Sequence, residues 1–266
     1  MNDQREPELT DQQILDYEQR IKDEEAQKIP LVCQIEPISK LQQEFEGNTL
    51  SFQNKIRNLA VNHDRIRRCR GDAFAFAWFE SLLLDTNPAT FSRALDTLQS
   101  TPELLLTAGF QVLAYEDFYD VTLEQFRQIP NRRQYPDDLL ATFQSDEVSN
   151  AIVMHFRFVT SAYLKNHAAE YEPFLLVEMI SIDEFCSMQV EAFGRESDQY
   201  QIIALTKALG IPVEVAYLGG AEGESVNFHE FWPDEADKAR GVRPLKLIYR
   251  PGGFGLWLEK NGDPVV

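Results

Sequence analysis

The sequence is short of cysteine, of positive charge and of long apolar runs, and each shortage closes off a class of function. Only three cysteines occur in 266 residues: Cys33, Cys69 and Cys186. The number is odd, and no two stand at metal-ligand spacing. Neither a disulfide framework nor a metal site is expected, and the thiols fit a reducing compartment, cytoplasmic and/or nuclear. Lysine and arginine total 25 against 43 aspartates and glutamates, a net charge of −18. Phosphate-mediated binding to nucleic acid needs a basic footprint. The basic cluster Arg65 to Arg70 is too short to supply one, so no nucleic-acid partner is expected. An acidic surface suits solubility and partners with a basic face. The apolar runs fall well short of a bilayer span, so no membrane partner is expected. "MNDQREPELTDQQ" at the start is polar and acidic, unlike a signal peptide or a presequence. No phosphate loop and no Gly-x-Ser-x-Gly elbow occurs, and no cofactor is implied.

What is present is an ordinary soluble composition, 44% hydrophobic and 26% charged. The length suits one domain, 29–266, preceded by an arm, 1–28, in a monomer. In the arm, "LTDQQILDYEQRIKDEEAQ" places Ile14, Tyr17 and Ile21 at helical spacing among charges. This amphipathic helix has a narrow apolar stripe. It could dock on its own domain or lie ready for a partner.

Further on, the pattern is first helical and then extended. A helix is predicted from Ser51, which can N-cap it, through "FQNKIRNLAVNH". Asp72 is a good cap for a helix over Ala73–Leu84. "AFAFAWF" also alternates with period two, but its alanines and the following "ESLLL" favour helix. From Pro88 to Phe143 the pattern is helical with breaks at Pro102, Gly109 and Pro130. A long helix follows from Ser145 or Asp146 to about His167. Ser181 and Glu184 form a capping box for the next, and Gly210 ends another over "ESDQYQIIALTKAL". Then "IPVEVAYL", "VNFHEFW", "PLKLIYR" and "FGLWLEK" read as strands parted by Gly- and Pro-bearing turns. Helices first and a small C-terminal sheet after them predict a mixed α/β, or α+β, domain. "YLGGAEGES" reads as a hairpin loop.

The stretch "RIRRCRGDAFAFAWFESLLL" raises the main chemical question. Cys69 stands among Arg65, Arg67, Arg68 and Arg70, just before a helix. Cationic neighbours and a helix N-terminus lower a thiol's pKa and make it a nucleophile. The bland alternative is a partly exposed loop cysteine beside a solvated basic cluster. A general base would have to come from the four histidines. His155 and His167 read as packing or surface residues, His63 as a helix end, and His229 as a half-buried strand residue. At the entry to the last strand, where cysteine proteases place their base, the sequence reads Gly252-Gly253-Phe254-Gly255.

Read in order, "IPLV" at 29–32, "FQNKIRNL" at 52–59, "IRRCRGD" at 66–72, "AFAFAWFESLL" at 73–83 and "TSAYL" at 160–164 are familiar. So are "EFCSMQVE" at 184–191, "ESDQYQIIALTKAL" at 196–209 and "LIYRPG" at 247–252. With these segments the chain resembles the otubains, cysteine deubiquitinases of the ovarian-tumour type, from about Gln13 to Leu258. The resemblance implies a papain-like ovarian-tumour fold and ubiquitin or polyubiquitin as ligand. A ubiquitin-conjugating enzyme is a further implied partner, with the arm helix engaging donor ubiquitin. On that basis Ile14, Tyr17, Ile21, Glu196 and Asp198 are the expected ubiquitin-binding residues.

The departures from the family pattern fall on the chemistry. Otubains carry Asp-Gly-x-Cys leading into the first core helix, the cysteine being the nucleophile. Here "RGD" at 70–72 matches the start of that segment and "AFAFAW" the helix beyond it. Roughly half a dozen residues between them are missing, about 9 Å at the helical rise. Asp72 is then the retained family acid, and the nucleophile is gone. A gapless alignment instead puts Cys69 at the nucleophile. The family's histidine and acidic residue after "YRPG" are replaced by Gly253 and Gly255. A catalytically impaired protein that still binds ubiquitin or a charged conjugating enzyme is expected. The alternatives are an active thiol deubiquitinase using Cys69 with a base from elsewhere, such as His229, or an interaction protein that has lost ubiquitin.

Overall fold

A computed structural model describes residues 30–69, 72–175, 179–219, 225–250 and 253–259, the backbone alone at 253–254 and 257–259. The arm residues Ile14, Tyr17 and Ile21 lie outside them. The first described elements are β1 (Glu36–Pro37), α1 (Ile38–Glu44), α2 (Leu50–Asn62), β2 (His63–Arg68) and α3 (Ala73–Leu84). A helical body follows: α4 (Pro88–Thr107), α5 (Val112–Arg127), α6 (Ile129–Arg132), α7 (Asp137–Phe143), α8 (Asp146–Asn166), α9 (Ala168–Leu175) and α10 (Ile182–Phe185). Last come α11 (Gln199–Leu209), β3 (Val213–Tyr217), β4 (Asn227–Phe231), α12 (Glu235–Ala239), β5 (Leu245–Arg250) and β6 (Gly253–Glu259).

The strands form one six-stranded sheet in the order β1-β2-β6-β5-β3-β4. The four C-terminal strands are where the alternation predicts them. The sheet is larger than expected because β1 and β2 join it from the N-terminal half. β2 pairs antiparallel with β6, Arg68 opposite Gly255. β3 and β5 are parallel, with Tyr217 opposite Tyr249.

Each face of the sheet is buried against helices, and the residue period shows it. Val213, Val215, Leu245, Leu247 and Leu256 pack on the α3 side. Ala216, Ile248 and Ile66 face the α1–α2 side with Leu41, Ile56 and Leu59. α3 is apolar all round because it runs through the core: Phe76, Phe79, Trp78 and Ala75 are all at most 3% exposed. Its rings meet those of neighbouring helices, Trp78 to Phe126 at 4.9 Å and Phe76 to Phe143 edge-on at 5.2 Å. A helix buried on every side needs no amphipathic stripe.

Local signals hold at most helix ends. Asp72 Oδ1 accepts from Ala75 N at 2.9 Å. The Ser181–Glu184 box is formed, and Gly210 ends α11 in the left-handed region at φ 66°. The cap of α2 lies two residues earlier than expected: it is Thr49, not Ser51, and its hydroxyl accepts from Phe52 N at 3.4 Å. Pro102 does not break α4. The Thr101 hydroxyl donates to Leu98 O at 2.8 Å, the very carbonyl that the proline leaves without its helical donor. After α10 the chain widens into a π-helical turn, Cys186–Val190.

Candidate functional site

The entry of α3 is where a thiol nucleophile would sit, and its polar groups are already engaged. Cys69 is 6% exposed and belongs to the main core. It pairs with Val32 through an isolated bridge. Burial pushes its thiol well above the ordinary range, outweighing the nearby Arg67 charge. Such a thiol stays protonated and unreactive. The exposed-loop reading of Cys69 is therefore corrected, and the activated-thiol reading gains nothing from this environment.

The basic cluster is not solvated either. Arg67 is buried, donating through Nη1 to Cys33 O and through Nη2 to Glu80 Oε1, each at 2.8 Å. It also lies 4.8 Å over the Phe76 ring. Arg68 pairs with Glu36 at 2.8 Å and Glu44 at 3.7 Å, and Arg65 with Asp64 at 3.3 Å. Every described arginine of the cluster is paired with a carboxylate, which leaves little positive field for a thiolate. The segment is a strand, and strand alternation sends Arg67 and Cys69 to the α3 side while Ile66 faces α2.

Asp72, expected as the retained family acid, is occupied as the cap of α3. Burial raises its pKa, opposed by the Ala75 amide and the Arg157 charge. Across the sheet, antiparallel pairing brings the start of β6 to the same end as the finish of β2. Gly253 pairs with Arg250, and Gly255 with Ile248 and Arg68. A Cβ built on Gly255 would fall 2.6 Å from Arg67 O and 3.2 Å from Ile248 Cγ2. The backbone packs too tightly there for a side chain.

None of the histidines serves Cys69. His229 is exposed on β4 at the far edge of the sheet, not half-buried as expected. Three strands separate it from β2, a lateral distance of about 19 Å at the usual strand spacing. The pairing of Cys69 with His229 is therefore excluded. His63 begins β2, buried, with Nδ1 3.1 Å from Leu59 O. His167 stacks on Tyr163 at 4.0 Å. His155 is fully buried against Thr101, Nε2 to Oγ1 3.1 Å.

A groove of ≈ 480 Å³ opens elsewhere, between β3, β4 and Tyr249 of β5 on one side and the segment leading into α11 on the other. Glu196, Asp198, Tyr217, His229, Phe231 and Tyr249 are among its lining. Tyr217 and Tyr249 stack at 4.6 Å. Tyr249 Oη donates to Glu196 Oε2 at 3.4 Å, and burial, then the Glu196 charge, raises its pKa. Asp198 caps α11, accepting from Tyr200 N at 3.0 Å. Both expected acidic residues thus stand at one concave, aromatic-walled surface. The aromatic wall itself was missed. Its signal was there: Tyr217 is the last residue of an apolar strand and Tyr249 the last but one of another. Among the described residues no cluster of potential ligands could hold a metal ion, and no helix is long and apolar enough to cross a membrane.

The family model described as Peptidase C65 Otubain matches residues 24–258. Ovarian tumor domain-containing deubiquitinating enzyme 1 of Arabidopsis thaliana is 32% identical over 90% of this chain and 84% of its own length. Ubiquitin thioesterase OTUB1 of Homo sapiens is 31% identical over 92% of this chain and 89% of its own. Among solved structures, a complex of h/ceOTUB1 with ubiquitin aldehyde and UBC13~Ub is similar at a TM-score of 0.78 and 27% identity. The match covers 94% of this chain and 99% of that one. The corresponding complex with UBCH5B~Ub also gives 0.78, at 26% identity over 94% and 98%.

Proposed function

The chain belongs to the otubain family, peptidases C65, and we propose that it is a catalytically impaired member that binds ubiquitin and/or a ubiquitin-charged conjugating enzyme. Its α+β body is the papain-like ovarian-tumour fold of that family. One observation carries the reading: Asp72 is spent as a helix cap, Cys69 is a core thiol and Gly253 and Gly255 offer no base, while an acidic, aromatic groove stands open elsewhere on the sheet. Losing nucleophile and base costs orders of magnitude in rate, and what remains comes from binding and any oxyanion donors. The similar OTUB1 structures contain ubiquitin aldehyde and a charged conjugating enzyme, which makes these the partners to test. Within this proposal Glu196 and Asp198 line the contact surface, and Ile14, Tyr17 and Ile21 of the arm fold onto the partner. The protein works as a monomer in the cytoplasm and/or nucleus.

The test has two arms. Di-ubiquitin of every linkage is incubated with the protein and with Cys69→Ala, and no cleavage above that control is expected. Gly253→His alone is expected to restore none, because catalytic groups act as a unit. Turnover by either protein would overturn the impairment. Calorimetry then compares the full chain with one starting at Ile29, against ubiquitin and a stable conjugating-enzyme~ubiquitin mimic. Affinity on the order of micromolar, weakened by removing the arm, is expected. No binding by either chain would favour an interaction protein that has lost ubiquitin.

A further inference from the structure

The segment 190–198, which leads to the acidic rim of the groove, is tied down by one face of the long helix α8. Arg157 Nη1 donates to Val190 O at 2.8 Å, and Nη2 donates to Arg195 O. One guanidinium thus closes the turn between those two carbonyls. Ser161 Oγ and Lys165 Nζ both donate to Glu191 Oε1, at 2.6 and 2.9 Å. Arg157, Ser161 and Lys165 fall four residues apart, so they form one stripe along α8. From the other side Gln201 Nε2 donates to Gln189 O at 3.2 Å, and its Oε1 accepts from Asp198 N. Between these anchors Gly194 takes φ 78° and Phe193 stands 61% exposed. Burial does not hold this aromatic in place; polar bonds to a buried helix do. Arg157 is also the cation whose charge reaches Asp72 at the entry of α3.

We propose that the Arg157–Ser161–Lys165 stripe is the positioning device of the groove. It fixes the backbone of 190–198 so that Phe193, Glu196 and Asp198 are offered together to a protein partner. Arg157 has the largest share, because its planar fork spans two carbonyls at once. A lysine keeps the charge and loses the fork. Fixing the segment in advance removes an ordering cost that binding would otherwise carry. Only the partner's identity rests on the ubiquitin reading above; the staple is a property of the free chain.

The experiment uses the full chain as wild type, Arg157→Gln and Arg157→Lys. Hydrogen exchange is read across 190–198 and across α8, and affinity is read against the ubiquitin-charged conjugating-enzyme mimic. Amides of 191–198 are expected to exchange about tenfold faster in both variants while α8 keeps its protection. Affinity is expected to fall about tenfold in both. Unchanged exchange in Arg157→Gln, or full rescue by Arg157→Lys, overturns the proposal. So does faster exchange with unchanged affinity. Should Arg157→Gln fail to fold, Glu191→Ala removes the acceptor of the Ser161 and Lys165 anchors and is read the same way. If the wild type binds no mimic, the ubiquitin reading fails, and exchange alone decides on the staple.

Discussion

At the entry of α3 the polar groups turn inward, and beside β3 and β4 they turn toward an open groove. Asp72 caps a helix, Arg67 pairs with Glu80 inside the protein, and Cys69 is packed in the core. Glu196, Tyr217, Tyr249 and His229 instead line a concavity. Both regions belong to one sheet. The difference is that the first has converted its polar side chains into structure, while the second, apart from the helix cap Asp198, keeps them available. A side chain already engaged in internal bonds must be freed before it can meet a substrate, and freeing it costs stability. This predicts that substitutions in the first region cost stability, and that substitutions in the second cost binding alone.

The sharpest test is Arg67→Ala. Removing one partner of a buried pair strands the other charge, here Glu80, whose pKa burial already raises. A loss of about 3–5 kcal/mol in urea unfolding is expected. The double variant Arg67→Met with Glu80→Met should recover most of it, because apolar groups of similar volume need no partner. A single variant as stable as wild type would mean that the first region is as open as the second.

Next in size is Gly255→Ala. The new Cβ would lie 2.6 Å from Arg67 O, a backbone atom that yields only if β2 moves. About 2 kcal/mol of destabilisation is expected, in the range of overpacked cores. Gly47→Ala is the control, since nothing lies within 4 Å of its added Cβ, and about 0.4–1 kcal/mol of gain is expected there. Equal effects at the two sites would show that Gly255 is replaceable by a residue with a side chain.

These tests also mark what the sequence made legible. α3, the Asp72 cap, the Ser181–Glu184 box and the Gly210 stop were readable because each is decided within a few residues. β2 was not. "HDRIRR" has no strand composition, and it is extended because β6, almost two hundred residues later, pairs with it. That is why Cys69 read as exposed and proves buried. Pro102 read as a break because the hydroxyl of Thr101 replaces the missing donor only in three dimensions. The reading of Gly253 and Gly255 as the family's histidine and acid positions rests on the family pattern alone and belongs to the proposal. The groove was half legible: Glu196 and Asp198 belong to a recognisable segment, whereas Tyr217 meets Tyr249 only through parallel register.

Acid separates the buried helical body from the groove in a third way. His155 is fully buried, and burial lowers its pKa to about 3. The Thr101 hydroxyl spends its proton on Leu98 O, so the imidazole donates from Nε2, and burial keeps the ring neutral. The unfolded chain takes up a proton near pH 6.5 and the folded one does not until about pH 3. Stability is therefore full above pH 6.5 and falls as the pH drops toward 3. At pH 5 the loss is about 2 kcal/mol for this group. Urea titrations at pH 7 and pH 5 on wild type and His155→Gln measure it. The variant should lose less on acidification, and identical slopes would mean that His155 titrates normally.

The smallest expected change in stability is in the groove. Glu196→Gln removes a charge that sits at the surface and accepts one hydrogen bond from Tyr249. Stability should stay within about 0.5 kcal/mol of wild type, as surface substitutions do. Binding should respond instead. Under the proposed function Glu196 contributes to the acidic rim facing the ubiquitin-charged mimic, so its neutralisation should weaken affinity a fewfold, about 1 kcal/mol or less. It should also flatten the salt dependence, because one screened charge pair is gone. Tyr249→Phe deletes the same hydrogen bond and leaves the carboxylate, so it separates charge from contact. If Glu196→Gln loses affinity and Tyr249→Phe does not, the rim acts through its charge. If both lose stability as Arg67→Ala does, the polar groups of the groove hold the fold together just as those at the entry of α3 do, and the contrast between the two regions disappears.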